Sequence, residues 1–270
     1  MVATLSEIVA ATHQRVDAVR RAADMRALER QAEAHTPRGF RRALEQKAAS
    51  GIAVIAELKK ASPSRGMIRG TLHVGSIASG LEAAGAAALS VLTEEQFFHG
   101  GLYDLGEASA ATQLPCLRKD FMVDEFQLLE ARANRADAVL LILAALDDLV
   151  VSNFLSRSRE LGLDALCEVH DERELERAFI LGAEIIGVNN RNLNTLAVDL
   201  ATAERLAPKI PPGVLRIAES GIQSGADLRR LRACGYDACL VGESLMRADT
   251  PAEALTKMLA EAMEGFTHRA

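Results

Sequence analysis

The sequence predicts an α/β protein, a (β/α)8 TIM barrel with extra N-terminal helices over the C-terminal mouth of the barrel, on three observations. Eight short apolar runs, many of them β-branched, recur from residue 52 onward. Amphipathic patterns of helical period lie between them. Several of those patterns stop at a glycine just before the next run, at Gly85, Gly162, Gly182 and Gly235, as helix C-termini prefer. Eight such units in about 220 residues imply right-handed crossovers and a parallel sheet buried on both faces. The competing doubly wound sheet usually has fewer strands, and no GxGxxG follows the first run.

Taken in order, residues 1–48 read as helical, with Leu5, Ile8, Val9, Val16 and Val19 spaced among Arg, Asp and Glu. "HTPRGF" (35–40) interrupts the pattern and "RRALEQKAA" resumes it. Strands are expected at "IAVIAEL" (52–58), "AAALSVL" (86–92), "LPCLRK" (114–119) and "DAVLLIL" (137–143). Four more follow at "DALCEV" (164–169), "EIIGVN" (184–189), "VLRIAE" (214–219) and "DACLVG" (237–242). Helical patterns fill the gaps at "VGSIASGLEAAG", "DEFQLLEARAN", "LDDLVVSNFLSRSRELG", "DERELERAFILG", "LATAERLA" and "GADLRRLRACG". "PAEALTKMLAEAM" closes the series, and the segment after the second strand is the weakest helix. No low-complexity linker divides the chain, so residues 1–48 read as an extension packed on a barrel of residues 49–270.

Bulk composition narrows the function. Hydrophobic residues make up 49% of the 270, enough for a sizeable core. The net charge of −6 argues against a nucleic-acid backbone as the main partner, but a local Lys/Arg cluster can still hold a small anion. Cys116, Cys167, Cys234 and Cys239 sit among apolar residues without CxxC spacing and read as reduced, buried thiols. The N-terminus has no uninterrupted apolar core of signal-peptide length and no later run reaches transmembrane length, so the expectation is a cytoplasmic protein without a membrane partner. The six histidines form no metal-ligand pattern, and no metal is expected.

The chemistry is written at the ends of the strands. Residues two apart share a strand face, so Glu57 and Lys59 point the same way. Lys119 shares the face of Leu117, Glu168 that of Leu166, Asn189 that of Gly187 and Glu219 that of Ile217. Each lies at the C-terminal end of its run, and in a barrel these ends converge on the mouth where active sites form. Isolated charges there would cost several kcal/mol each, on the order expected for unpaired buried ions, so they must pair or bind something. A structural salt-bridge plug accounts for any one of them more easily than for a set drawn from five strands at one end. Two Gly turns, in "AESGI" (218–222) and "LVGESLM" (240–246), follow the seventh and eighth strands, where barrels often hold phosphate.

"IAELKKASPSRGMIR", "SVLTEEQFFHGG", "LPCLRKDF", "LCEVHDERELERA…GVNNRNL" and "IAESGI…LVGESLM" together resemble the indole-3-glycerol-phosphate synthase family, across nearly the whole chain. The resemblance implies a lyase of tryptophan biosynthesis that needs no cofactor. It would close, decarboxylate and dehydrate 1-(2-carboxyphenylamino)-1-deoxyribulose 5-phosphate to indole-3-glycerol phosphate. By position Lys119 resembles the general acid, Lys59 the lysine that meets the substrate carboxylate, and Glu168 the acid/base of the dehydration half. Glu57 and Glu219 correspond to orienting glutamates and Asn189 to the asparagine of "NNRNL". The same resemblance implies phosphate contacts from Ser62, Arg191, Ser220, Gly221, Gly242 and the backbone of Glu243. Pro63, Phe98, Phe121 and Leu193 would line a slot for the aromatic ring.

Departures are small: Gly101 stands where a Ser is common, and no Trp lies near the N-terminus. His170, two residues past Glu168, reads as a loop histidine, with approach to the mouth as the alternative. A phosphoribosylanthranilate isomerase-like or Schiff-base aldolase-like phosphosugar enzyme remains an alternative, as does a non-catalytic phosphate-ligand sensor. The partner expected is a phosphorylated small molecule, and the chain is expected as a monomer, with a weak homodimer as the alternative.

Overall fold

The computed structural model describes residues 3–63, 66–193 and 195–264. Ser64 and Arg65 of the "KKASPSRG" stretch lie outside them. Eight parallel strands close into a barrel: β1 (Ala53–Leu58), β2 (Ala88–Leu92), β3 (Cys116–Lys119), β4 (Ala138–Ile142), β5 (Asp164–Val169), β6 (Ile185–Asn189), β7 (Leu215–Glu219) and β8 (Ala238–Val241). Each pairs with its sequence neighbours, and β8 closes on β1 with Ile55 opposite Leu240. All eight coincide with the expected apolar runs.

Alternation sorts the strand residues into two cores. Ile55, Leu117, Leu140, Leu166, Ile185 and Ile217 pack with one another inside the barrel. Val54, Leu89, Val139, Cys167, Ile186 and Cys239 face the surrounding helices. Charge at a strand's C-terminal end on the inner parity therefore has nowhere to go but the barrel mouth.

The helices are α1 (Leu5–Ala22), α2 (Met25–Ala34), α3 (Phe40–Ala48), α4 (Val74–Ala83), α5 (Leu102–Ala111), α6 (Phe126–Ala133), α7 (Asp148–Glu160), α8 (Glu172–Ile180), α9 (Ala201–Leu206), α10 (Gly225–Ala233), α11 (Glu243–Arg247) and α12 (Pro251–Met263). The weak segment after the second strand is helical as α5, its signal diluted by Gly106 and a run of Ala and Ser. Gly85, Gly162, Gly182 and Gly235 all adopt positive φ, between 68° and 98°, as their place after a helix requires.

The N-terminal segment is more divided than its periodicity suggests. Ala23 is extended, and the Asp24 side chain accepts the Ala27 N–H at 3.0 Å, ending one helix and starting another. The three helices then serve different places. Residues of α1 reach the mouth, α2 packs against α6 on the flank, and α3 inserts Phe40 and Leu44, both fully buried, among the inner-barrel residues. The expectation of helices over the mouth thus describes α1, while α3 stops the opposite end.

Asp137, just before β4, ties that lower end together. Its carboxylate accepts from the Arg38 guanidinium at 2.6 Å, the Arg38 backbone N–H at 2.7 Å and the Cys116 N–H at 2.7 Å, with His35 Nε2 at 3.2 Å. Burial opposes the charge, but the His35 and Arg38 contacts outweigh it and hold the carboxyl below its usual range. Replacing Arg38 with Met leaves the buried Asp137 carboxylate without its guanidinium partner at neutral pH, an expected loss of about 3 kcal/mol in urea denaturation. The deficit should narrow below about pH 4, where protonation removes the charge that Arg38 serves. A loss under about 1 kcal/mol at pH 7, the size of an exposed ion pair, would show that the cluster is not a tie.

Candidate active site

At the C-terminal end of the strands the barrel opens into a cavity of about 550 Å³. Glu57, Lys59, Lys119, Glu168, Asn189 and Glu219 all line it, brought together from five strands. Ser62, Pro63, Phe98, Phe121, Arg191, Leu193, Ser220, Gly221, Gly242 and Glu243 line it as well. Every catalytic and substrate-binding candidate named from the sequence therefore lines one space.

The charged groups form a connected ring. Lys119 Nζ stands 3.2 Å from Glu168 Oε2 and 3.5 Å from Glu219 Oε2. Lys59 Nζ is 2.8 Å from Glu57 Oε1, and the other oxygen of Glu57 accepts the Ser90 hydroxyl at 3.4 Å. The Oδ1 of Asn189 accepts the Arg191 N–H at 3.0 Å, which leaves its amide to donate to Glu168. The three glutamates are at most 5% exposed.

Burial and neighbours push these acids apart. Burial works against the Lys119 ammonium, but Glu168, Glu219 and Glu57 outweigh it and hold the lysine above its usual range. Burial also raises Glu168, yet Lys119, His170 and Asn189 prevail and keep it well below the ordinary carboxylate range. In Glu57 the nearby Lys59 and Lys119 likewise overcome burial and lower it. Glu219 goes the other way: burial pushes it up to about 8, Lys119 opposes this, and the anions Glu168 and Glu57 reinforce it. Around one charged lysine, Glu168 is thus held toward its ionised form and Glu219 toward its protonated form, the disposition of a proton acceptor beside a proton donor.

Two glycines make this crowding possible. A Cβ on Gly187 would lie 2.1 Å from Glu219 Oε1, and one on Gly242 would lie 2.5 Å from Glu57 Oε1. Both strands must present bare backbone where a carboxylate crosses.

Behind the ring, the motif "RKDF" divides by alternation. Lys119 faces the cavity, while Arg118 is fully buried on the opposite side and pairs with Glu130 of α6 at 2.8 Å and Asp120 at 3.0 Å. Asp120 also accepts the Thr93 hydroxyl at 2.8 Å and the Phe121 N–H at 2.9 Å, and Arg15 of α1 comes within 3.6 Å of it. This clamp fixes the end of β3 and so the direction of Lys119.

The rim supplies the remaining contacts. Ser220 and Gly221 adopt successive left-handed conformations, φ 67° and 84°, turning the backbone sharply at the exit of β7. The Asn190 amide, donating to the carbonyls of Glu219 and Ser220 at 3.0 and 3.1 Å, holds that turn. The Glu243 carboxylate pairs with Arg247 Nε at 3.0 Å, which offsets its charge beside the Gly242 turn. Phe98 and Phe121 stand with ring centroids 6.1 Å apart. Leu5 and Ile8 of α1 complete the apolar wall with Leu193 and Pro63.

Sequence reasoning missed several participants. Ser90 lies on the inner parity of β2 and was legible by the same alternation that found Glu57. His170 is more than a loop histidine: its Nε2 lies 3.2 Å from Glu168 Oε1. Asn190, Leu5, Ile8 and Arg247 had no signal in strand parity, because they come from a loop and from helices. Among the described residues no group of His, Cys, Asp and Glu is arranged to hold a metal ion.

Comparison with known proteins gives a consistent result. A family model described as indole-3-glycerol phosphate synthase matches residues 5–258. The indole-3-glycerol phosphate synthase of Koribacter versatilis is 52% identical, over 96% of this chain and 100% of that protein. The one from Burkholderia ambifaria is 48% identical, over 94% and 98% respectively. Among solved structures, a 3-hexulose-6-phosphate synthase superposes with a TM-score of 0.62 at 14% identity, covering 78% of this chain and 99% of that one; it shares the fold.

The protonated state of Glu219 is directly measurable. Infrared difference spectra should show a carboxylic acid C=O band that persists at pH 7, titrates near pH 8 and vanishes in Glu219→Gln. Titration of that band near the ordinary glutamate value of about 4.3 would contradict the charge distribution described above.

Proposed function

This chain belongs to the indole-3-glycerol phosphate synthase family, and from that premise we propose how its own residues carry out the ring closure. It is a carboxy-lyase of tryptophan biosynthesis, and family membership sets aside the isomerase, aldolase and sensor readings. The substrate proposed is 1-(2-carboxyphenylamino)-1-deoxyribulose 5-phosphate, a molecule with an anion at each end and an aromatic ring. The single observation that carries the assignment of roles is Lys119 shared between Glu168 and Glu219 at the floor of the cavity.

The phosphate is received at the turns Ser220-Gly221 and Gly242-Glu243, which line the cavity with Ser62 and Arg191 beside them. The ring enters the apolar slot between Phe98, Phe121, Pro63 and Leu193. Lys59 then meets the ring carboxylate, and Glu57, anchored by Ser90, aims the lysine.

In the first half of the reaction the carboxyl-bearing ring carbon attacks the ketone carbon, and Lys119 gives its proton to the ketone oxygen. The carboxylate leaves as CO2, and its bonding electrons restore the aromatic ring. In the second half the new hydroxyl takes a proton from Lys59 and leaves as water, while Glu168 takes the proton from the adjacent carbon. Asn189 holds Glu168 by its amide. Glu219, whose Oε1 is buried and has no protein partner, is suited to hold a substrate hydroxyl. Charge develops in a site already lined with fixed charges, which is the efficient way to stabilise it.

The catalytic unit proposed is one chain, with residues 1–48 as the extension and 49–270 as the barrel, because a single chain supplies the whole cavity lining. A monomer is the form this supports, with a weak homodimer as the alternative. A cytoplasmic location is supported by the four free thiols at Cys116, Cys167, Cys234 and Cys239. No helix among the described residues is long and apolar enough to cross a membrane.

Indole fluorescence on mixing the protein with the carboxyphenylamino sugar phosphate tests the activity. Lys119→Met should lower kcat by at least about 10²-fold while KM stays within a few-fold, and Glu168→Gln should be severely impaired in the same assay. Full turnover by the Lys119 variant would remove its role as the acid.

A further inference from the structure

Glu168 is held from two sides, and the second side has no role in the mechanism above. We propose that His170, itself held by Glu174, is a positioning residue that fixes the orientation and charge of Glu168. The inference rests on the proposed role of Glu168 in proton transfer.

The geometry is a line of alternating partners. His170 continues the alternation of β5 one step beyond Glu168, and its Nε2 lies 3.2 Å from Glu168 Oε1. Lys119 occupies the other oxygen, Oε2, at 3.2 Å. On the far side of the imidazole, Nδ1 lies 3.0 Å from Glu174 Oε2, which also accepts the His170 backbone N–H at 2.8 Å. Glu174 is fixed in turn, because its N–H donates to Asp171, the N-cap of α8, at 2.9 Å. Its carboxylate sits in the first turn of that helix, where the dipole favours an anion.

Both ring nitrogens thus face carboxylate oxygens. A neutral imidazole carries one N–H and would turn a lone pair toward one of them; only the imidazolium serves both. Burial works against that charge, but the contacts with Glu168 and Glu174 outweigh it and push His170 up to about 10. Around Glu168 the other facing groups are Lys119 from β3 and Asn189 from β6, with Glu219 of β7 sharing Lys119. The Nε2 contact is ionic rather than an aligned hydrogen bond.

Two consequences follow for the chemistry. With His170 on Oε1, the oxygen of Glu168 that meets substrate is Oε2, on the Lys119 side. When Lys119 gives up its proton, Glu168 loses one of its two cations and keeps the other, so it remains ionised for the second half-reaction.

Nitrogen-15 spectra of the histidine-labelled free enzyme report the charge without any turnover. His170 should show both nitrogens protonated through pH 8, and a neutral tautomer at pH 7 overturns the proposal. Kinetics supply the second arm. His170→Gln should move the acid limb of the kcat profile upward by about one pH unit with KM little changed, since Glu168 loses a stabilising cation. His170→Arg should move that limb back toward wild type. Glu174→Gln should instead bring the alkaline limb down, because His170 then loses its proton at lower pH. If His170→Gln does not fold by circular dichroism, Glu174→Gln and the spectra carry the test. Profiles of unchanged shape in every variant, with kcat unaltered or uniformly lowered, sink the inference. Wild-type protein that forms no indole product fails the functional reading instead, whatever the spectra show.

Discussion

The site depends on one constraint: a lysine ammonium placed inside a closed barrel, where it must be shared among acids from neighbouring strands. Lys119 lies on the inner side of β3 with most of its side chain buried, so Glu168 and Glu219 supply much of its surroundings. Sharing leaves the two acids unequal. Glu168 has further donors and is held below the ordinary carboxylate range, whereas Glu219 has an oxygen without a hydrogen-bond partner and is pushed above it. A lowered and a raised carboxyl therefore flank one ammonium, the disposition on which the proposed ring closure and dehydration draw.

Such a cluster is costly to assemble, and much of the remaining structure is arranged to hold it. Arg118 and Asp120 lock the end of β3 to Thr93 and α6, so Lys119 cannot turn outward. Gly187 and Gly242 leave out the side chains that would collide with Glu219 and Glu57. At the other end of the barrel, Phe40 and Leu44 fill the interior and the Asp137 cluster anchors the segment that carries them. A dry, packed lower half confines polarity to the mouth, where the electrostatic interactions are strongest.

The N-terminal extension links these two ends. Its first helix walls the cavity with Leu5 and Ile8 and touches Asp120 through Arg15, while its third helix plugs the barrel. A segment that reads from its composition as one amphipathic stretch thus contributes both to the cavity wall and to the packing of the barrel's lower end. Relatives about half identical over nearly the full length match through this region as well.

The sequence by itself determined the barrel and the membership of its mouth. Strand parity is a local property of the backbone, so the inward direction of Glu57, Lys119, Glu168, Asn189 and Glu219 was readable from spacing alone. The same rule applies to Ser90, which no motif marks and which the sequence reading passed over. Only the tertiary structure decided which oxygen meets which cation, that His170 stands behind Glu168, and that α1 and α3 go to opposite ends. Those facts follow from the stagger and closure of the sheet, for example Asn189 opposite Glu219 and Glu57 opposite Ser90, and from where a helix lands after a loop. Parity fixes a direction within one strand, while a distance between strands is fixed only when the barrel closes.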